Sequence, residues 1–107
     1  LLDDAIGINE TQLFPEQVKL FSNYPNPFNP KTHITFYLPH SAFVTVSVVN
    51  VMGNTVKNLF HESKPKGNWS VTWEGRNDYG EFVSAGIYFC LLRVNGVKKT
   101  KKMVLLK

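Results

Sequence analysis

Short runs of residues that alternate between apolar and polar side chains recur along this chain and restrict it to an all-β fold. Residues 32–38 place three apolar side chains on one face, residues 43–50 repeat the pattern with valines, and residues 69–73 alternate around two tryptophans. A period of two is that of a half-buried strand. Because no stretch has a convincing helical period, each run predicts a strand.

Turn residues separate these runs at intervals that are typical of a β-sandwich. Asn95-Gly96 is the strongest hairpin signal, and loops are predicted at residues 64–68 and 75–80. The predicted strands cover residues 18–22, 32–38, 43–50, 55–61, 69–73, 86–94 and 98–106. A chain of 107 residues suffices for one such domain. We therefore predict an immunoglobulin-like antiparallel β-sandwich of about seven strands.

The apolar faces of the strands predict the core of the sandwich. Residues 86–94 are apolar on both faces, which is typical of a strand that is central to the fold. The predicted core side chains are Phe36, Val46, Val48, Trp73, Ile87 and Phe89.

The run Tyr24–Pro30, with its three prolines, interrupts the strand pattern. Proline donates no ladder hydrogen bond and pushes the preceding residue towards extended geometry. We therefore predict a rigid, extended corner that buries the rings of Tyr24 and Phe28. The side chains of Asn26 and Asn29 are predicted to bond local backbone groups.

Charge is distributed unevenly, although the formal net charge is only +4. Residues 1–16 contain four acidic residues and no cation, whereas residues 98–107 contain five lysines and no acid. The lysines fit an interaction surface, or an edge strand protected against pairing with another sheet, and both explanations can hold. Nucleic-acid binding is not predicted, because residues 98–107 have neither an aromatic residue nor an arginine.

The sequence contains no recognisable catalytic or cofactor-binding arrangement. The single cysteine, Cys90, cannot form an internal disulfide and lies in an apolar run, as a small hydrophobic residue would. The three histidines lack zinc spacing, and neither a nucleophile elbow nor a phosphate-binding glycine loop is present. The chain is therefore predicted not to be an enzyme and to hold no cofactor.

Carboxylates cluster at Glu74, Asp78 and Glu81. Oxygen-rich loops bind calcium, but the EF-hand spacing is absent and Arg76 lies in the middle of the cluster. A plain turn, in which Asn77 and Asp78 bond local amides, is the favoured interpretation. Calcium at Glu74 and Asp78 is the weaker alternative.

The expected domain organisation is a linker over residues 1–17 followed by a single domain over residues 18–107. No apolar stretch reaches the roughly 20 residues that a membrane helix needs, so no transmembrane segment is predicted. Residues 1–13 lack the basic start and long apolar run of a signal peptide. The chain is expected to be a fragment or a processed product, with any export signal upstream.

Several motifs occur in an order and spacing that resemble one family. They are Tyr24–Pro30, Leu38-Pro39, Val48-Val49-Asn50 ahead of Gly53, Gly67 ahead of Trp73-Glu74-Gly75, Asp78 with Gly80, Ser84–Phe89 and Lys101–Lys107. From about residue 18 onwards, the chain resembles the type A C-terminal sorting domain of the type IX secretion system of Bacteroidetes and related bacteria. It is also similar to the immunoglobulin-like domain of flagellar hook-capping proteins. The residues assigned to the structural motif are Pro25, Asn26, Pro27, Gly53, Trp73, Gly75, Gly86 and Tyr88.

The resemblance implies a folded, non-catalytic address label that ends a larger secreted protein. Such a domain directs its cargo to an outer-membrane translocon, and a sortase-like peptidase commonly removes it at the cell surface. The expected location is the periplasm in transit, and then the cell surface or the medium. The family often has Tyr-Asp in place of Val49-Asn50 and Asp in place of Glu74, and these departures lower the expectation of a metal at Asp78.

The last strand provides the predicted translocon-recognition residues, which are Lys98, Lys99, Lys101, Lys102, Val104 and Lys107. A terminal edge strand has free backbone groups that a receptor can pair, and its lysines would steer it towards an acidic receptor. Cleavage is predicted within residues 1–17, because proteolysis needs an exposed, flexible segment.

The alternative function is an accessory immunoglobulin-like module that stabilises or targets a neighbouring catalytic domain, such as a carbohydrate-active enzyme or a peptidase. A module that binds sugar usually has a row of exposed aromatic side chains. The plausible ones here are Tyr37, Tyr79 and Tyr88, and they are scattered along the sequence.

Overall fold

Two antiparallel sheets pack face to face in the computed structural model, which describes residues 17–107. The strands are β1 (Lys19–Leu20), β2 (Thr32–Leu38), β3 (Ala42–Val49), β4 (Thr55–Lys64), β5 (Gly67–Trp73), β6 (Gly86–Val94) and β7 (Val97–Leu105). One sheet has the order β1-β2-β5 and the other the order β4-β3-β6-β7. The predicted all-β, immunoglobulin-like sandwich of seven strands is confirmed. The predicted linker at residues 1–17 lies outside the described residues, apart from Gln17.

The core lies between the two sheets and uses alternate side chains of each strand, as a period of two requires. Phe36, Val46, Val48 and Trp73 are all buried, which confirms four of the predicted core residues. The buried hydrophobic residues of the sandwich are Leu20, Phe28, Ile34, Phe36, Leu38, Val44, Val46, Val48, Trp73, Tyr88, Cys90, Leu92, Val94, Met103 and Leu105.

The prediction that Ile87 and Phe89 belong to the core is wrong. In β6 the side chains that face the other sheet are those of Tyr88, Cys90, Leu92 and Val94, so the odd-numbered residues point away from the core. Ile87 is 43% exposed. Both faces of β6 are apolar, and a period of two therefore cannot tell the inner face from the outer one.

The loop predicted at residues 64–68 is shorter in the structure. Strand β4 continues to Lys64 and β5 begins at Gly67, so that Pro65 and Lys66 alone connect the two sheets here. The Trp69 indole Nε1 donates a hydrogen bond to the Pro65 carbonyl at 2.9 Å. The ammonium of Lys64 lies 4.7 Å from the centre of the same ring. The two strands therefore extend beyond the residues that alternate.

The turn between β6 and β7 is the two-residue hairpin that Asn95-Gly96 predicts. Asn95 has a φ of 48° and Gly96 a φ of 81°. A two-residue turn of this kind needs positive φ at both central positions, which asparagine and glycine tolerate best. The hairpin places β7 beside β6. The cross-strand pairs begin with Val94 opposite Val97 at the turn and end with Gly86 opposite Leu105.

Burial of Cys90 makes the stability of the domain sensitive to alkaline pH. Burial raises the pKa of the Cys90 thiol from its ordinary value of 9.0 to about 12. Above pH 9 the unfolded chain releases a proton that the folded chain retains, so stability is complete below pH 9 and falls as the pH rises towards 12. Between pH 8 and pH 10, urea unfolding should show a loss of roughly 1 kcal/mol that is absent from a Cys90→Ala variant. Equal losses in the two proteins would contradict this assignment.

Candidate recognition strand and its surroundings

Strand β7 forms one edge of the larger sheet, since β6 is its sole partner strand within residues 17–107. The prediction that the last strand is an edge strand is therefore confirmed. Its inner residues Met103 and Leu105 are buried in the core, whereas the first half of the strand is largely exposed. The strand thus has an anchored C-terminal half and an accessible N-terminal half.

The lysines of β7 do not form a single patch. Because side chains alternate along a strand, Lys98 and Lys102 point to the outer face of the sheet, while Lys99 and Lys101 share the side of the buried Met103. Lys99 and Lys101 border a groove between β7 and residues 17–21, which include β1. Among the described residues, none of these four lysines forms a salt bridge. Their charges are therefore available to an acidic partner.

The proline corner, Tyr24–Pro30, runs along the C-terminal half of β7 and pairs with it. The Phe28 N–H donates to the Val104 carbonyl at 2.9 Å, and the Leu106 N–H donates to the Phe28 carbonyl at 2.8 Å. The Asn26 side chain continues the pairing: its Oδ1 accepts from the Val104 N–H at 2.9 Å and its Nδ2 donates to the Lys102 carbonyl at 3.3 Å.

This pairing corrects two sequence-based expectations. Asn26 bonds backbone groups 76 and 78 residues away rather than local ones. The prediction that the backbone groups of the last strand are free along its whole length is wrong from Lys102 to Leu106. There the proline corner already forms hydrogen bonds with them. Within residues 17–107, the open part of the edge is residues 97–101.

Two buried polar residues hold the proline corner in place, and the sequence analysis missed both. The Asn23 side chain donates to Thr32 Oγ1 at 2.8 Å, and the Thr32 hydroxyl donates to the Pro25 carbonyl at 2.8 Å. Tyr24 pairs with His33 through two backbone hydrogen bonds and is 78% exposed as a residue, so the predicted burial of its ring is wrong. Phe28 is 2% exposed, as predicted. Asn23 lies two residues before Pro25 and has the sequence character of an ordinary turn residue, so no sequence signal marked its burial.

The aromatic residues of the sequence motifs meet behind the proline corner. The Phe28 and Trp73 ring centres are 5.6 Å apart, and those of Trp73 and Tyr88 are 5.2 Å apart. The Trp73 Nε1–H donates to the Arg76 carbonyl at 2.9 Å, and the Tyr88 hydroxyl donates to the Ser84 carbonyl at 2.7 Å. Tyr88 is thus a core residue and not an exposed sugar-binding ring.

Gly75 lets the proline corner approach the aromatic cluster. It has a φ of 74°, and a Cβ at this position would lie 3.3 Å from the Pro30 carbonyl oxygen. Glycine tolerates both the positive φ and the close contact. The motif residues Gly53 and Gly86 lie elsewhere, in the β3–β4 turn and at the start of β6.

The candidate calcium residues do not converge on a cation site. The Asp78 carboxylate accepts hydrogen bonds from the backbone and side-chain amides of Asn58 at 3.0 and 3.1 Å, and the Lys57 ammonium lies 3.9 Å away. In the part of the chain that the structure describes, no three His, Cys, Asp or Glu side chains are close enough to hold a metal. Asp78 therefore ties the 75–80 loop to β4, a longer-range contact than the local turn bonds predicted for it.

The outer face of β6 is a surface that the sequence analysis missed. Ile87, Phe89 and Leu91 point away from the core, and across the neighbouring strands Val104 lies opposite Ile87 and Val49 opposite Phe89. Ile87 is exposed and the other four are half-buried. The signal was present in the two apolar faces of residues 86–94, which the sequence analysis assigned to burial alone.

Together these features define an immunoglobulin-like domain whose terminal strand is fastened by a proline-rich segment. The chain matches the family model of the FlgD Ig-like domain over residues 23–93 and belongs to that family. No curated protein matches the chain.

Three solved structures share the fold at low sequence identity. Dimeric latent PorU from Porphyromonas gingivalis has a TM-score of 0.66 and 19% identity, over 94% of this chain and 10% of PorU. PorZ, described as an essential surface component of the type IX secretion system of the same bacterium, has a TM-score of 0.55 and 18% identity, over 92% of this chain and 12% of PorZ. FlgD from P. aeruginosa has a TM-score of 0.56 and 19% identity, over 75% of this chain and 70% of FlgD.

The chain therefore corresponds to about a tenth of PorU and of PorZ. Within residues 17–107, the structure contains no helix of the length and apolar character needed to cross a membrane.

The amide of Asn26 offers a direct test of the pairing between the proline corner and β7. An Asn26→Ala variant loses both side-chain bonds to β7, so we expect a loss of about 1–2 kcal/mol in unfolding free energy. Exchange of the Val104 amide hydrogen should accelerate roughly tenfold or more, since 1.4 kcal/mol is a factor of ten. Asn29→Ala is the matched control in the same corner, and equal acceleration in that variant would contradict the pairing.

Proposed function

We propose that this domain is a non-catalytic C-terminal sorting domain that directs a secreted cargo protein to the type IX outer-membrane translocon. The observation that carries the proposal is the extent of the structural likeness to PorU and PorZ, which takes in 94% and 92% of this chain. PorZ is described as a component of the type IX secretion system. The motifs between Tyr24 and Lys107 resemble those of sorting domains in their order and spacing, and they support the same function.

The accessible half of β7 is the proposed recognition element. Residues 97–101 leave an open sheet edge, to which a receptor could add a strand. Lys99 and Lys101 stand beside this edge and would attract an acidic receptor. The same charges discourage pairing between two copies of the domain before the receptor is met. Lys102 and Val104 belong to the half that the proline corner covers, so they would contribute side chains rather than backbone pairing.

Residues 1–17 are the proposed linker between cargo and domain, and the proposed site at which a sortase-like peptidase separates them. After transit through the periplasm and removal of the domain, the cargo is released or attached to the cell surface. The proposal assigns no catalytic residue to the chain, because the one thiol, Cys90, is buried and its raised pKa keeps it protonated.

A fusion experiment tests the proposal. The complete 107-residue chain is joined to the C-terminus of a periplasm-exported reporter, in a bacterium with the type IX system and in a strain that lacks its translocon. We expect the reporter at the surface or in the medium of the first strain and in the periplasm of the second. Periplasmic retention in both strains would overturn the proposal, and so would equal release from both.

Point variants then test the recognition element without disturbing the core. Lys99→Gln with Lys101→Gln should lower surface delivery of the reporter several-fold, because both charges border the open edge. Lys31→Gln with Lys66→Gln removes the same charge from exposed positions away from β7. Equal delivery by the two double variants would contradict the role of the edge lysines.

The alternative of an accessory carbohydrate-binding module finds less support. Of the three candidate tyrosines, Tyr88 is buried and hydrogen-bonded, whereas Tyr79 is 89% exposed on the 75–80 loop. Strong hits for the whole chain on a glycan array would favour this alternative.

A further inference from the structure

The two outer faces of the sandwich differ in chemistry. On the β1-β2-β5 sheet, the outward residues of the paired strands β2 and β5 are polar or carry a polar group: His33, Thr35, Tyr37, Asn68, Ser70 and Thr72. On the other sheet, β6 presents Ile87, Phe89 and Leu91 in succession. Water-facing strands normally alternate apolar-in and polar-out. β6 departs from that pattern over five residues.

The apolar strip on β6 extends onto its neighbours. Val49 of β3 lies opposite Phe89, and Val104 of β7 lies opposite Ile87. We call these five side chains, Val49, Ile87, Phe89, Leu91 and Val104, the β6 face. A contiguous apolar patch of this kind is typical of an interaction site.

Cations border the β6 face. Arg93 and Lys98 lie opposite each other at one end, and Lys102 lies opposite Phe89 on the β7 side. Strands β3, β6 and β7 contain no Asp or Glu at all. Every charged side chain of these three strands is therefore a cation.

We propose that the β6 face is a docking surface for a separate protein whose contact surface has an apolar centre bordered by carboxylates. The proposal rests on the proposed function, and it assigns that partner to the secretion apparatus. The apolar side chains would provide the buried centre of the interface, and Arg93, Lys98 and Lys102 would pair with the acidic rim. The face adjoins the open edge at residues 97–101, with which it shares Lys98, so one receptor could contact both surfaces.

The chemistry of the face favours such a partner over other occupants. A second copy placed against the same face would offer Arg93, Lys98 and Lys102 no carboxylate from its own β3, β6 or β7 with which to pair. A lipid surface would suit protruding apolar side chains. Here Ile87 is the most exposed at 43%, and Val49, Phe89, Leu91 and Val104 are half-buried, so little of the face protrudes.

Site-specific photo-crosslinking in the bacterium that makes the protein tests the proposal. A benzophenone amino acid replaces Thr100, which is exposed and lies opposite Leu91, so the apolar residues stay intact. The matched control carries the same probe in place of Ser70, which is exposed on the outer face of the other sheet. The crosslinked peptide is identified by mass spectrometry.

We expect a crosslink from position 100, at least five-fold stronger than from position 70, to a peptide of another protein that contains apolar residues and Asp or Glu. Adding Ile87→Thr and Leu91→Thr should reduce that crosslink at least five-fold, whereas Val51→Thr, in the exposed β3–β4 turn, should not change it. The melting temperature of each variant verifies that it is folded.

Several outcomes would overturn the docking proposal: crosslinks to a second copy, to lipid, to residues 1–16 or to the cargo, equal yields from positions 100 and 70, or no crosslink. The fusion experiment keeps this test separate from that of the proposed function. Surface delivery without the crosslink would contradict the docking proposal but not the sorting role. The crosslink without delivery would support the docking surface but contradict the sorting role, and with it the assignment of the partner to the secretion apparatus.

Discussion

A chain that ends at Lys102 will not fold. The truncation removes Met103 and Leu105, which are buried in the core at 0% and 3% exposure, and it removes the backbone pairing of β7 with the proline corner. Truncating one buried Leu or Met to Ala costs about 2–5 kcal/mol, so the loss of both approaches the roughly 5–15 kcal/mol that stabilises a whole domain. We expect no cooperative urea transition and no near-ultraviolet circular dichroism from the buried tryptophan.

A chain that ends at Leu105 is the matched control. It lacks only the exposed Leu106 and Lys107, together with the hydrogen bond from the Leu106 N–H to the Phe28 carbonyl. The expected loss is about 1 kcal/mol, with a cooperative transition retained. If the chain that ends at Lys102 also unfolded cooperatively, the C-terminal half of β7 would not be part of the core. Deleting the terminal residues therefore cannot separate a recognition defect from unfolding, and point variants are needed for tests of secretion.

Replacement of Phe28 by alanine will destabilise the domain by about 3–5 kcal/mol. The ring is 2% exposed and packs against Trp73, with ring centres 5.6 Å apart. The cavity would open between the proline corner and the aromatic cluster, where Gly75 and Pro30 already limit how far the backbone can close. Urea unfolding of the purified chain gives the free energy directly.

Tyr24→Ala is the control for that measurement, because it removes an aromatic ring from the same corner at a position that is 78% exposed. Its backbone bonds with His33 do not depend on the side chain, so the expected change is within about 0.5 kcal/mol. A similar loss in the two variants would mean that the Phe28 ring does not act through burial. A larger loss for Phe28 would establish the proline corner as part of the core.

Most strands of this domain could be predicted because local patterns decide them. Residues 32–38 and 43–50 alternate cleanly, and the structure has strands at Thr32–Leu38 and Ala42–Val49 with the predicted faces buried. The Asn95-Gly96 turn follows from the φ preferences of two residues. Strand boundaries were less predictable: β4 continues to Lys64 and β5 begins at Gly67, although Pro65 and Gly67 are typical of a longer loop.

The sequence by itself determined the sandwich class, the terminal edge strand and the motif residues, since each depends on a period or a short run. Only the tertiary structure decided that Asn26 and Phe28 pair with β7, because that contact joins residues more than 70 positions apart. It also decided which apolar face of β6 is buried, because that choice depends on the opposite sheet. The candidate recognition surface was thereby narrowed from a whole strand to the open edge at residues 97–101, with the β6 face beside it.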